Sequence, residues 1–217
     1  MNIEDLDAQN EPTFHPLTNM DPYEARPNDS NPTEDIAIVS EEKGQVEYRP
    51  VLTAARVKMA NKLGLTEKPK KVIFGRRSKE LKDLSGKSKK KSIDSDGSCF
   101  YRCISFILTG SENEHMVVRE AVVEHMDTIK EQLQEYHNVP ITEDYLRNMK
   151  KVSTWATHVE ILACANLLEH DIITFKQSGS KKKWLTHSAQ FSIKKLSDYA
   201  LYLDNVQDNH YEVVISI

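Results

Sequence analysis

Residues 93–105 read Ile-Asp-Ser-Asp-Gly-Ser-Cys-Phe-Tyr-Arg-Cys-Ile-Ser, a polar turn that runs directly into an apolar helical pattern. Asp, Gly and Ser favour a turn, and the apolar residues that follow recur at helical spacing. Cys99 therefore falls at or next to a helix N-terminus. Unpaired backbone N–H groups and the positive end of the helix dipole stabilise a thiolate there, so the sequence predicts a lowered pKa for Cys99.

A thiolate nucleophile needs an imidazole beside it, and His210 is the best partner in the sequence. His210 begins the last predicted strand, in which side chains two residues apart share a face. Glu212 is therefore expected beside His210, where its carboxylate can orient the imidazole. Spacing alone leaves a second interpretation open, because a cysteine is also a common small core residue.

The rest of the C-terminal part predicts helices first and strands later. Apolar spacings of three and four predict a helix over residues 115–136. Thr142 followed by two acidic residues predicts a second over 143–150, and a run that is apolar nearly all round predicts a buried third over 157–168. Runs rich in β-branched and aromatic residues predict strands over 171–175, 183–185, 201–203 and 211–217. This order predicts an α+β fold for residues 93–217, with helices packed on a small central β-sheet.

Two segments of opposite charge precede this domain. Residues 1–45 carry a net charge of −9, five prolines and no hydrophobic period, and we predict that they form a disordered N-terminal extension. Residues 46–92 carry a net charge of +11 and predict a basic linker with one short amphipathic helix over 52–65. Clustered Lys and Arg also suit nucleic acids, but a solvated linker or a nuclear-localisation signal is the favoured interpretation.

Several classes of protein and site are disfavoured by the composition. The chain has no run of about 18 apolar residues, so we expect no membrane span. Its acidic first ten residues are unlike a secretory signal. Cys99, Cys103 and Cys164 are expected to be reduced thiols of a cytoplasmic or nuclear protein. The sequence lacks paired Cys-x₂-Cys and His-x₃-His motifs, so we expect no zinc site.

Three motifs resemble those of the ovarian-tumour (OTU) family of cysteine proteases. Residues 96–102 (Asp-Gly-Ser-Cys-Phe-Tyr-Arg) resemble the nucleophile motif of that family. Residues 155–161 (Trp-Ala-Thr-His-Val-Glu-Ile) resemble the segment before its central helix, and residues 209–212 (Asn-His-Tyr-Glu) resemble its histidine motif. The resemblance covers residues 93–217 and implies a papain-like OTU fold and a deubiquitinase that acts without a metal or cofactor.

The resemblance also implies a role for each matching residue. Cys99 becomes the nucleophile, His210 the general base, and Asp96 the support of the loop and the oxyanion hole. Glu212 becomes the third member of the site, although the family commonly has Asp or Asn at this position. A second departure is Ala156, where the family commonly has Gly, and a turn with positive φ would be strained by Ala. The implied partners are ubiquitin or polyubiquitin conjugates, and we expect a monomer.

Two other functions stay open at this point. The departures at Ala156 and Glu212 are consistent with a non-catalytic ubiquitin-binding module. The basic residues 46–92 are consistent with a nucleic-acid-associated protein that the domain regulates. The complete cysteine and histidine motifs favour the enzyme over both.

Overall fold

A computed structural model describes residues 39–41, 47–67, 70–78, 81, 84, 88–137, 140–178, 180–188 and 198–217. The helices are α1 (Thr53–Lys62), α2 (Cys99–Thr109), α3 (His115–Thr128), α4 (Lys130–His137), α5 (Glu143–Met149) and α6 (His158–Leu168). The strands are β1 (Val39–Glu41), β2 (Lys89–Lys91), β3 (Ile172–Ser178), β4 (Lys181–His187), β5 (Leu201–Val206) and β6 (His210–Ser216). The predicted α+β class is confirmed.

The described strands form one sheet in the order β1-β4-β3-β5-β6-β2. Strands β3 and β5 are parallel, and the other neighbouring pairs are antiparallel. Helices α2 and α6 lie at the centre of the main core, because nine of the eleven residues in each are buried. The ring of Phe100 in α2 packs against Tyr211 in β6, with centroids 6.0 Å apart. This packing holds the first residue of α2 beside the start of β6.

The predicted helix over 115–136 is two helices. The hydroxyl of Thr128 donates to the carbonyl of His125 at 2.7 Å, and Ile129 leaves helical geometry with φ −121°. A threonine hydroxyl that bonds the backbone competes with the helix and often bends it. The apolar period continues across this break, so periodicity alone did not reveal it.

The basic residues 46–92, predicted as a linker, belong to the folded domain wherever the structure describes them. Helix α1 is present as predicted, but its Arg56 is buried and donates to the carbonyls of Ile107 and Leu108. The N–H of Lys70 also donates to the carbonyl of Thr109 at 2.7 Å. The last carbonyls of a helix lack internal partners and attract cations. The basic segment therefore completes the C-terminal end of α2.

Within residues 1–45 the structure describes β1, a short strand that the sequence did not predict and that pairs with β4. The rest of the segment predicted to be disordered lies outside the described residues. None of the helices in the described part of the chain combines the length and the apolar composition that a bilayer crossing requires.

Candidate active site

Cys99 is the first residue of α2, as predicted, and it is only 7% exposed. Backbone N–H groups of Tyr211 and Phe100 donate to its sulfur. Burial nevertheless raises the pKa of the Cys99 thiol, because it penalises the charged form more than these donors favour it. The lowered pKa predicted from the helix N-terminus is therefore wrong for this structure.

Asp96 fixes the turn that leads into Cys99. Its Oδ1 accepts from the N–H of Ser98 at 2.9 Å, and both of its oxygens lie 3.1 Å from Nε of Arg102, one turn along α2. The Arg102 guanidinium holds the pKa of Asp96 below its ordinary value, although partial burial acts in the opposite direction. These contacts fit a loop-supporting residue, whereas the role of Asp96 at an oxyanion hole stays a prediction.

The same turn packs against the loop of residues 150–157. Gly97 has φ +79°, and a Cβ added there would lie 2.8 Å from the carbonyl oxygen of Ser153. Both the left-handed conformation and the close approach require glycine. The hydroxyl of Ser98 donates to the carbonyl of Val152 at 2.9 Å. The position of Cys99 therefore depends on this neighbouring loop.

Arg119 of α3 joins the two loops, and sequence reasoning missed it. Its buried guanidinium donates to the carbonyls of Met149, Thr154, Val152 and Gly97 and to Oγ of Ser98, at distances of 2.8–3.2 Å. It also lies 4.1 Å above the ring of Tyr101. The available signal was a charged residue on an apolar stripe, since Val122 and Val123 follow Arg119 by three and four residues.

His210 is the first residue of β6 and is half-buried. Its Nδ1 lies 3.3 Å from Oγ of Ser95, in the turn before Cys99. The N–H of Tyr211, the residue after His210 in β6, donates to the sulfur of Cys99, so the start of this strand lies beside Cys99. A hydrogen bond between the sulfur and the imidazole is not among the contacts of the described residues. His210 is thus the neighbour of the residue that contacts the sulfur, and the described residues show no closed cysteine–histidine pair.

Glu212 does not orient His210 in this structure. Its carboxylate lies 2.7 Å from Nζ of Lys90, which also lies 2.7 Å from the carboxylate of Asp204. Asp204 is the cross-strand partner of Glu212. Partial burial lowers the pKa of Lys90, but the two carboxylates outweigh it and the pKa is raised. Lys90 belongs to β2, a strand that the sequence did not predict, so this cation was missed.

Comparison with known proteins assigns the chain to a family. A family model described as OTU-like cysteine protease matches residues 94–211, which is more than half of the chain. The chain belongs to the OTU-like cysteine protease family. The match contains the turn with Asp96, the cysteine at the start of α2 and the histidine at the start of β6.

Relatives and solved structures agree with this assignment. Human OTU domain-containing protein 4 is 24% identical over 128 residues, which are 59% of this chain and 11% of that protein. Arabidopsis thaliana OVARIAN TUMOR DOMAIN-containing deubiquitinating enzyme 9 is 38% identical over 76 residues, 35% of this chain and 21% of that protein. This chain thus spans about a tenth to a fifth of the curated relatives it matches.

Two solved OTU domains share the fold. The OTU domain of OTUD1 superposes with a TM-score of 0.51 at 18% identity, over 58% of this chain and 85% of that one. The viral OTU protease from Qalyub virus superposes with a TM-score of 0.50 at 23% identity, over 60% and 85%. These likenesses establish the fold of the OTU domain.

Residues 155–161, which resemble the OTU segment before the central helix, form the end of a loop and the first residues of α6. Thr157 caps the helix, and Glu160 closes a capping box by accepting from the N–H of Thr157 at 2.7 Å. Ala156 is not among the described residues with positive φ, so the strain expected there does not arise. Trp155 is 45% exposed and lies on the loop that Arg119 holds against the turn of Cys99.

Proposed function

We propose that this protein is a deubiquitinase, a thiol hydrolase that cleaves the isopeptide bond after the C-terminal glycine of ubiquitin. The observation that carries the proposal is the position of Cys99 at the start of α2, with the N–H of Tyr211 donating to its sulfur. This arrangement occurs in a chain of the OTU-like cysteine protease family. Two Arabidopsis relatives are named deubiquitinating enzymes, which supports ubiquitin as the substrate class.

In the proposed reaction, the sulfur of Cys99 attacks the carbonyl carbon of the terminal glycine while the thiol proton moves to His210. His210 then donates this proton to the departing lysine amine, and a thioester remains on Cys99. A water molecule, deprotonated by His210, hydrolyses the thioester and releases ubiquitin. Because burial raises the pKa of Cys99, deprotonation accompanies attack and requires the imidazole to come within hydrogen-bonding distance of the sulfur.

The developing oxyanion needs donors that the fold has not already used. The N–H of Ser98 is occupied by Asp96, so this group serves the turn and not the substrate. The N–H of Phe100 already donates to the sulfur, so the donor we assign to the oxyanion is the N–H of Cys99, the first residue of α2, which has no carbonyl acceptor within the helix. Asp96 then acts by fixing the direction of this group through its bonds to Ser98 and Arg102.

The test is hydrolysis of a fluorogenic amide at the C-terminus of ubiquitin, followed by a panel of differently linked di-ubiquitins. We expect turnover by the wild type and background rates for Cys99→Ala. Cys164→Ala is the matched control, since Cys164 is a core residue of α6 and is expected to keep turnover. Turnover that persists in folded Cys99→Ala, or its absence from the folded wild type on every substrate, contradicts the proposal.

A second candidate is a non-catalytic ubiquitin-binding module. It is favoured by the ion pair of Glu212 with Lys90, which leaves the expected acid away from His210. Binding of di-ubiquitin to the wild type without cleavage of any linkage would support this candidate over the enzyme.

A further inference from the structure

We propose that Lys90 is a positioning residue that holds Glu212 away from His210, and that opening this ion pair lets Glu212 orient the imidazole. The proposal rests on the function proposed above, in which His210 carries the proton transfers. The ammonium of Lys90 lies 2.7 Å from the carboxylate of Glu212 and 2.7 Å from that of Asp204. One cation thus occupies the carboxylate that the sequence predicts beside His210.

The register of the sheet explains how Lys90 binds both carboxylates. Lys90 in β2 pairs with Val214 in β6, and Glu212 lies two residues from Val214 along β6. Asp204 in β5 is the cross-strand partner of Glu212. Diagonal neighbours on adjacent strands are within reach of a long side chain such as that of lysine. The three side chains are 12–34% exposed, so solvent and salt screen these ion pairs only in part.

Two features direct Glu212 toward His210 once the ammonium of Lys90 is removed. Asp204 and Glu212 lie directly opposite each other on β5 and β6, and like charges in opposite positions repel. Glu212 also shares a face of β6 with His210, about 6.6 Å along the strand, a distance that the two side chains can span. Glu212 therefore has a second position available beside the imidazole.

The strand that carries Lys90 can release Glu212 without opening the core. β2 has three residues, lies at one end of the described sheet, and among the described strands pairs only with β6. Its register shifts between Lys89 and Lys90. A short edge strand with an irregular register opens at a lower free-energy cost than the central strands. Lys90 is thus placed to set the activity as well as to stabilise the sheet.

The experiment compares Lys90→Met with Lys91→Met, each alone and combined with Glu212→Gln. Lys91→Met is the matched control, because it removes the next ammonium of β2, whose carboxylate partner is Glu112. We expect Lys90→Met to raise kcat on the ubiquitin amide about tenfold with little change in KM, since the imidazolium formed in the reaction gains a charged hydrogen-bond partner. The gain should disappear in Lys90→Met/Glu212→Gln, and Lys91→Met should match the wild type.

A second readout does not depend on activity. In Lys90→Met, proton NMR should show a downfield ring N–H signal of His210 that exchanges slowly with water, because a carboxylate binds this proton. We expect no such signal in the wild type, in Lys91→Met or in Lys90→Met/Glu212→Gln. If Lys90→Met does not unfold cooperatively, Lys90→Met/Asp204→Asn replaces it, because this variant also removes the carboxylate that has lost its cation.

Three outcomes are decisive for the role of Lys90. An unchanged or lower kcat in folded Lys90→Met overturns the proposal, and so does a gain that persists in Lys90→Met/Glu212→Gln. If the wild type lacks turnover, the proposed function fails, and the ring N–H signal of His210 still decides whether Lys90 restrains Glu212.

Discussion

His210 and Glu212 lie two residues apart in β6, yet Nδ1 of His210 faces Ser95 while Glu212 binds Lys90. We therefore predict that Glu212→Gln reduces kcat/KM much less than His210→Ala. Positioned general acid–base catalysis is worth roughly 10²–10⁴-fold, and His210→Ala should lose at least that much. We expect Glu212→Asp to retain most of the activity.

The measurement is kcat/KM on a ubiquitin substrate for these three variants, with cooperative unfolding as the check that each is folded. A Glu212→Gln variant as inactive as His210→Ala would show that the acid is indispensable. It would mean that Glu212 leaves Lys90 and reaches His210 during the reaction.

The three cysteines differ in how accessible their thiols are. Cys99 is 7% exposed, whereas Cys103 and Cys164 are fully buried, and burial raises the pKa of all three. We predict that iodoacetamide modifies Cys99 first, and that its rate still rises with pH through about pH 9, because the reactive thiolate fraction is still growing. Mass spectrometry across pH 6–10 measures the rates. A plateau below pH 7 would reveal a thiolate–imidazolium pair at rest and contradict the account, as would equal rates for the three thiols.

At the scale of elements, two glycines with positive φ provide a matched pair. Gly97 (φ +79°) lies against Ser153 in the turn before Cys99, whereas Gly64 (φ +70°) follows α1 with nothing within 4 Å of an added Cβ. Gly64→Ala should cost about 1 kcal/mol, from backbone strain alone. Gly97→Ala should cost clearly more, because it adds a clash with backbone, and should slow the alkylation of Cys99.

Thermal unfolding measures the two costs, and each 1 kcal/mol corresponds to roughly 2–4 °C in Tm for a chain of this size. Equal shifts in Tm for the two variants, with normal reactivity of Cys99 in Gly97→Ala, would show that the turn does not need its contact with Ser153.

The elements that the sequence predicted correctly have local signals. The start of α2 follows from the Asp-Gly-Ser turn and the apolar spacing after it, and the start of α6 follows from Thr157 and the apolar run beyond it. The predicted strands are present: β3, β4 and β5 are two to four residues longer than predicted, and β6 has the predicted length but begins one residue earlier. The sequence around Cys99 and His210 likewise predicted that these residues lie at the start of α2 and at the start of β6.

The features that the sequence did not reveal depend on partners far along the chain. Arg56 binds the end of α2 some 50 residues away, and Arg119 binds one loop that precedes its helix in the sequence and one that follows it. Lys90 reaches Glu212 only because β2 adds to the sheet beside β6. Periodicity and composition describe neighbours in sequence, so they could not identify the partners of these cations.

For the whole molecule, these long-range contacts change where the folded domain begins. The sequence placed the start of the domain at residue 93, but Tyr48, Val51 and Met59 are buried. In addition, Arg56 binds carbonyls at the end of α2, and β2 pairs with β6 at one edge of the sheet. We predict that removal of residues 1–38 leaves Tm nearly unchanged. Removal of residues 1–92 should abolish cooperative unfolding, since it deletes part of the core.

Circular dichroism melts of the two truncations test this boundary. A fragment of residues 93–217 that unfolds cooperatively near the Tm of the full chain would show that residues 46–92 are a linker, as their charge suggested, and not part of the folded domain. A large fall in Tm after removal of residues 1–38 would show that this segment also contributes to the folded domain.

The central claim is that Cys99 is the nucleophile of an enzyme that acts on ubiquitin, and covalent capture tests it most directly. The full chain is incubated with ubiquitin whose C-terminus carries a thiol-reactive electrophile, and the product is measured by intact-mass spectrometry and peptide mapping. The account predicts one added ubiquitin, attached to Cys99 and absent from Cys99→Ala, with slower capture in His210→Ala. Folded wild-type protein that forms no adduct, or an adduct that maps to Cys103 or Cys164, would contradict it.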